Sequence, residues 1–164
     1  MHAATPAVLP IPSIVHRLQP LVTAALRVGL PIGPNVLMTV RGRKSGLPRT
    51  VPVAVLRADG RDVVFSPFGE VAWVHNLRAA GRAEIRRGRV RREVTALPLT
   101  HEEAARYLEI GLGEFMGAPV IGPMVAGWYG ITRASTSEDY ASAARRHPAF
   151  GLADTATEGD ERGA

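Results

Sequence analysis

The densest chemistry in the sequence lies in one short stretch, Gly42-Arg43-Lys44-Ser45-Gly46-Leu47-Pro48-Arg49. Two glycines bracket two cations and a hydroxyl, and a third cation follows. Glycine lets the backbone turn tightly and bring N–H groups close to an anion. Ser45 adds a neutral donor and Lys44 a point charge. Arg43 and Arg49 add planar forks that fit phosphate or carboxylate. Together they form a cradle for an anion of the phosphate kind. It is not a Walker A loop, because the Gly-Lys pair and the upstream glycine are missing. A solvated hairpin loop of the same composition is the plain structural alternative.

A second group follows: Ser66-Pro67-Phe68-Gly69, then Trp73, Val74, Asn76 and Leu77. A strand end, a turn and a helix start offer backbone N–H groups to an acceptor. Trp73 can pack a flat ring. Asn76 can hydrogen-bond a ring edge or the nearby backbone. Val74 and Leu77 have the spacing of a core-facing helix stripe.

Other chemistries find less support. The chain has no cysteine, which excludes disulfides, thiolate metal sites and a cysteine nucleophile. His2, His16, His75, His101 and His147 lack metal-ligand spacing, so no metal is expected. Ser66 lacks the context of a nucleophile elbow. Tyr107, Tyr129 and Tyr140 are the only tyrosines. Tyr129, beside Trp128 in a glycine-rich apolar stretch, is the candidate catalytic side chain, as part of a pocket wall.

The charge balance supports an anionic partner. The 164 residues carry a net +5, and Lys44 is the only lysine among 20 basic residues. GC-rich codons account for much of the arginine bias but not for where it clusters. Residues 41–92 hold 13 basic side chains against Asp59, Asp62, Glu70 and Glu84. The last twelve residues hold four acids, one arginine and no large apolar side chain, the composition of a disordered tail. Nucleic acid, an anionic membrane and a phosphate-bearing cofactor all fit a basic middle third. Few aromatics make a base-stacking platform a poor fit, so no nucleic acid is expected.

The block Val36–Leu56, the FSPFG turn and the AWVHNL helix together resemble the deazaflavin-dependent nitroreductase and quinone reductase family. The resemblance implies a split β-barrel binding coenzyme F-420, an 8-hydroxy-5-deazaflavin, with FMN as the alternative flavin. It implies a phosphate held by Arg43, Lys44 and Ser45, with Arg49 nearby. It places the ring against Pro52 and Val53, the turn Ser66, Pro67, Phe68 and Gly69, and the helix start at Trp73, Asn76 and Leu77. Arg82, Arg86 and Arg89 become contacts for the acidic tail of the cofactor on charge alone. The family commonly has a glycine-rich turn where this chain has Pro67-Phe68. The implied activity is hydride transfer from the reduced cofactor to a small apolar quinone, nitroaromatic or enone. A non-catalytic flavin carrier or a basic binding module are the alternatives.

These residues need elements to hold them. Residues 1–12 form an irregular, proline-rich lead. Ser13 reads as the N-cap of a helix with apolar residues at helical spacing to Leu26, kinked at Pro20 and closed by Gly29. Its apolar run is too short to span a bilayer. Burial on the domain is its expected role, with peripheral membrane contact as the alternative. Val36–Val40, Thr50–Leu56, Asp62–Ser66, Ala83–Arg87 and Arg89–Leu99 read as strands, with a turn at Ala58-Asp59-Gly60. Ala72–Ala80, His101–Leu112 and Ser137–Arg146 read as helices, the second with a Thr100–Glu103 capping box. Residues 113–130 carry no clear pattern. The result is an α+β fold, mainly antiparallel, with one barrel domain over residues 13–152 and a tail at 153–164. A cytoplasmic monomer or homodimer acting on a small molecule is expected.

Overall fold

Period-two alternation sets the architecture. The computed structural model describes residues 10–115, 117, 119 and 121–155. Helix α1 spans Ser13–Arg27, and strands β1, β2 and β3 span Asn35–Arg41, Pro48–Ala58 and Arg61–Phe65. Helix α2 (Ala72–Ala80) precedes β4 (Arg82–Arg87) and β5 (Val90–Pro98). Helices α3 (His101–Phe115), α4 (Ile121–Trp128) and α5 (Ser137–Arg146) follow, and β6 (Ala149–Asp154) completes the described elements. The strands close in the order β1-β2-β3-β6-β5-β4, every pair antiparallel. This is the α+β barrel expected of a split-barrel protein.

Alternate residues of each strand point inward. Val36, Met38, Val53, Val64, Ile85, Val94 and Phe150 fill the barrel, and Val74 and Leu77 of α2 join them. A second core lies outside the barrel wall, where Leu56, Val63, Phe65 and Ala149 meet Leu108, Leu112, Tyr129 and Ala143. Helix α1 lies against β1 and β2. It leaves Ile14, Leu18 and Leu21 exposed. No described helix is long and apolar enough to cross a membrane.

Some boundaries differ from the sequence reading. Pro12 sits at the N-cap of α1 and Ser13 is its first residue, with no side-chain cap bond. Proline tolerates a helix start because no N–H is needed there. Residues 121–128 are helical although Gly122, Pro123 and Gly127 weaken the pattern. Pro123 lies in the first turn, where its missing donor costs nothing. Strand β6 has no counterpart in the sequence reading, and it carries Ala153 and Asp154 out of the expected tail. Thr155 N–H still donates to Glu93 O at 3.0 Å. Residues 156–164 lie outside the described residues, as do residues 1–9 of the lead. The Thr100–Glu103 capping box forms as expected.

Candidate functional site

The anion loop is the connection between β1 and β2. The register pairs Val40 with Arg49 and Arg41 with Pro48, leaving residues 42–47 to turn the chain. Gly42 N–H donates to Leu47 O at 2.9 Å, and Gly46 N–H donates to Gly42 O at 2.8 Å. Leu47 N–H donates to Ser45 Oγ at 3.3 Å, and the Ser45 hydroxyl, accepting there, keeps its own proton to donate. A Cβ on Gly42 would stand 2.9 Å from Ser45 Oγ and 3.1 Å from Leu47 O, so the closure is tight around glycine.

Arg43, Lys44, Ser45 and Arg49 are all exposed on this loop. Among the described residues no carboxylate pairs with Arg41, Arg43, Lys44 or Arg49. Arg57, Arg78, Arg91, Arg92, Arg106 and Arg145 each hold an acid. The loop cations therefore face solvent, and their donors are of the kind that fit a phosphate.

Helix α2 locks onto this loop. The buried Asn76 Oδ1 accepts both the backbone N–H and the Nη1–H of Arg43, each at 3.2 Å. Trp73, half-buried, tilts against Phe150 with ring centroids 6.3 Å apart. Leu77 is fully buried and serves packing. Val53 faces the barrel core, while its neighbour Pro52 lies half-buried on the outer side of β2. No side chain caps the N-terminus of α2. Val74 N–H donates to Val71 O at 3.0 Å, so the Ala72 and Trp73 N–H groups are the donors of the kind that receive a ring carbonyl or an anion.

The turn before α2 is tightly built. Ser66 is fully buried. Its Oγ–H donates to Gly69 O at 2.6 Å and its N–H donates to Pro148 O at 2.9 Å. Its hydroxyl thus shapes the turn. Pro67 and Phe68 are half-buried, and the Phe68 ring lies 5.5 Å from that of Trp128. Gly69 takes a φ of 74°, a conformation that suits glycine. Beside it, Glu70 receives a bidentate Arg78, whose hydrogen bonds hold the Glu70 carboxyl below its ordinary pKa.

Tyr129 is placed differently from the other expected site residues. It is only 6% exposed and sits in the second core, edge-on to Phe65 at 6.3 Å and to His147 at 4.7 Å. Burial pushes its phenol pKa up, so the group stays neutral. The geometry favours packing for this ring. His147, noted in the sequence only for lacking metal-ligand spacing, places its Nδ1 3.1 Å from Ser66 O. Its partner is a backbone carbonyl 81 positions away, which no local pattern encodes.

Two concavities flank these elements. One of about 270 Å3 opens on the outer face of β1, β2 and β4, lined by Thr39, Thr50, Arg86 and Arg91 among others. Thr39 and Thr50 form the third register pair below the loop and hydrogen-bond at 2.8 Å. Arg86 is held there by the carbonyls of Gly88 and Arg27, at 3.0 and 2.8 Å. Arg82 and Arg89 do not line this groove. The other, of about 380 Å3, lies at the opposite mouth of the barrel around Val36, Val55 and Arg92, away from the loop.

A family model described as F420-H2-dependent quinone reductase matches residues 15–117. Among solved structures, an F420-H2 dependent reductase (FDR-A) is 22% identical. The match covers 73% of this chain and 94% of that one, with a TM-score of 0.50. Another, described as a domain-swapped dimer, is 21% identical with a TM-score of 0.52. It covers 87% of this chain and 100% of that one. These two likenesses agree on the fold.

Proposed function

The chain belongs to the F420-H2-dependent quinone reductase family, and on that premise we propose that it reduces a small apolar acceptor, a quinone, nitroaromatic or enone. It is an oxidoreductase that uses the deazaflavin coenzyme F-420. The cofactor supplies the hydride; the protein supplies binding, orientation and electrostatics. The observation that carries the site assignment is the loop of Arg43, Lys44, Ser45 and Arg49, closed around Gly42 and, among the described residues, without acid partners.

On this reading the loop holds the cofactor phosphate. The turn Ser66–Gly69, the open start of α2, Pro52, Phe68 and Trp73 seat the ring. Asn76 couples the two, because one carboxamide oxygen fixes the loop to the helix that carries Trp73. Leu77 and Val53 act from the core by holding those elements in place. The groove beside Thr39 and Thr50 lies on the outer face below the loop; Glu84 there is paired with Arg91, and Arg86 supports contact with the cofactor's acidic tail. The exposed apolar side of α1, flanked by Arg17 and Arg27, supports either peripheral contact with an anionic membrane or a homodimer contact. Vesicle co-sedimentation and sedimentation velocity separate these two.

Absorbance titration of the purified protein with coenzyme F-420 and with FMN tests the assignment. Lys44→Ala should weaken F-420 binding several-fold, most at low ionic strength. Identical titration curves for that variant and the wild type would remove the phosphate from this loop. Binding of F-420 without oxidation of its reduced form by a quinone panel would make the protein a carrier.

A further inference from the structure

We propose that His147 is a positioning residue for the cofactor ring, acting through the carbonyl of Ser66. The proposal rests on the site reading above, in which the Ser66–Gly69 turn seats the ring. A carbonyl oxygen only accepts, so Nδ1 must carry the proton in the 3.1 Å contact with Ser66 O. That assigns the tautomer of a histidine only 2% exposed.

Ser66 is fixed from three sides. His147 takes its carbonyl, Pro148 O takes its N–H, and its own hydroxyl reaches across to Gly69 O. Two consecutive residues at the approach to β6 thus clamp both backbone groups of the first turn residue. The imidazole is held in turn by the Tyr129 ring, which Phe65 meets edge-on. A leucine could fill this volume without burying polar atoms, and buried polar atoms cost free energy unless paired. The imidazole is therefore explained by the hydrogen bond it makes. That bond sets the orientation of the peptide entering Pro67, and with it the path of the turn toward α2.

The test separates the ring from the phosphate. The probes are full coenzyme F-420 and the deazaflavin riboside, which has the ring but neither phosphate nor tail. His147→Leu keeps the volume and removes the donor; His147→Asn keeps an N–H donor near the Nδ1 position. His147→Leu should weaken binding of the riboside and of the full cofactor by the same factor, about tenfold for one lost hydrogen bond. The salt dependence of full-cofactor binding should not change. His147→Asn should recover most of the loss, and its binding alone decides if the leucine variant does not fold. Lys44→Ala should show the converse pattern, losing the full cofactor more than the riboside. Riboside binding by His147→Leu within twofold of wild type would overturn the proposal, as would an asparagine variant that folds but binds the riboside tenfold or more weaker than wild type. Failure of the wild type to bind either probe would instead overturn the site reading itself.

Discussion

Asn76 and Tyr129 show how placement decides what a side chain can do. Asn76 offered a ring edge or the backbone as partners, and its Oδ1 takes the Arg43 N–H and guanidinium. Asn76→Ala should leave that N–H without its acceptor and release the guanidinium. Weaker F-420 binding by about 3- to 10-fold is expected, at the scale of one or two hydrogen bonds, and titration reads it directly. Tyr129→Phe keeps the ring contacts with Phe65 and His147. Steady-state turnover with a quinone should therefore stay within about twofold, since nothing but the hydroxyl is lost. A fall of a hundredfold, with cofactor affinity intact, would identify the phenol as the proton donor. The loop was readable at this scale because its chemistry is in its composition. His147 was not, since its partner is a distant main-chain carbonyl.

Elements were readable wherever a local signal repeats. Helix α2 spans Ala72–Ala80 and α5 spans Ser137–Arg146, as their apolar spacing indicates. The β2–β3 hairpin turns through Asp59 and Gly60, both with positive φ. Helix α4 has eight residues, three of them glycine or proline, so tertiary packing rather than propensity forms it. Strand β6 is short and buried through its first four positions, which erases alternation. Gly151 within it looks like a breaker, yet it holds strand geometry, with the Arg61 guanidinium lying over it where a Cβ would stand, at 2.6 Å. The β1–β2 loop makes a sharper claim. Gly42→Ala places a methyl 3.1 Å from Leu47 O, a backbone atom held by the loop's own hydrogen bond. Leu47 O must give by a few tenths of an ångström, straining the closing hydrogen bond at a cost of about 1–3 kcal/mol. A lower melting temperature together with weakened F-420 binding is expected, and unchanged values for both would show that the loop tolerates a wider turn.

For the whole molecule the deciding element is β6, because it closes the barrel between β3 and β5. It is latched at both ends by ionisable groups. Just before its start, His147 bonds the residue that follows β3. At its end, Asp154 accepts Arg92 of β5 at 2.8 Å, and Arg92 also reaches Asp62 of β3. Burial lowers the His147 pKa, and the Arg146 charge adds to that, against the opposing bond to Ser66. The unfolded chain therefore takes up this proton near its ordinary pKa of 6.5, while the folded chain resists it. Stability is complete above that value and declines as pH falls toward the lower folded value. Burial alone would raise the Asp62 pKa, but hydrogen bonds from Arg92 and Arg57 and their charges hold it below 3.8. Its contribution is present above the unfolded value and is lost as pH falls through the folded one. Urea midpoints measured from pH 7.5 to 3 should therefore fall in two windows, one below about pH 6.5 and one below about pH 4. His147→Leu should remove the upper window. Asp62→Asn should shrink the lower one, which Glu70 on Arg78 shares. In native-state hydrogen exchange, corrected for intrinsic rates, the amides pairing β6 with β3 and β5 should lose protection before those pairing β1 with β2. Equal loss across the barrel would mean that acid unfolds the sheet as one unit and that β6 is not its weak seam.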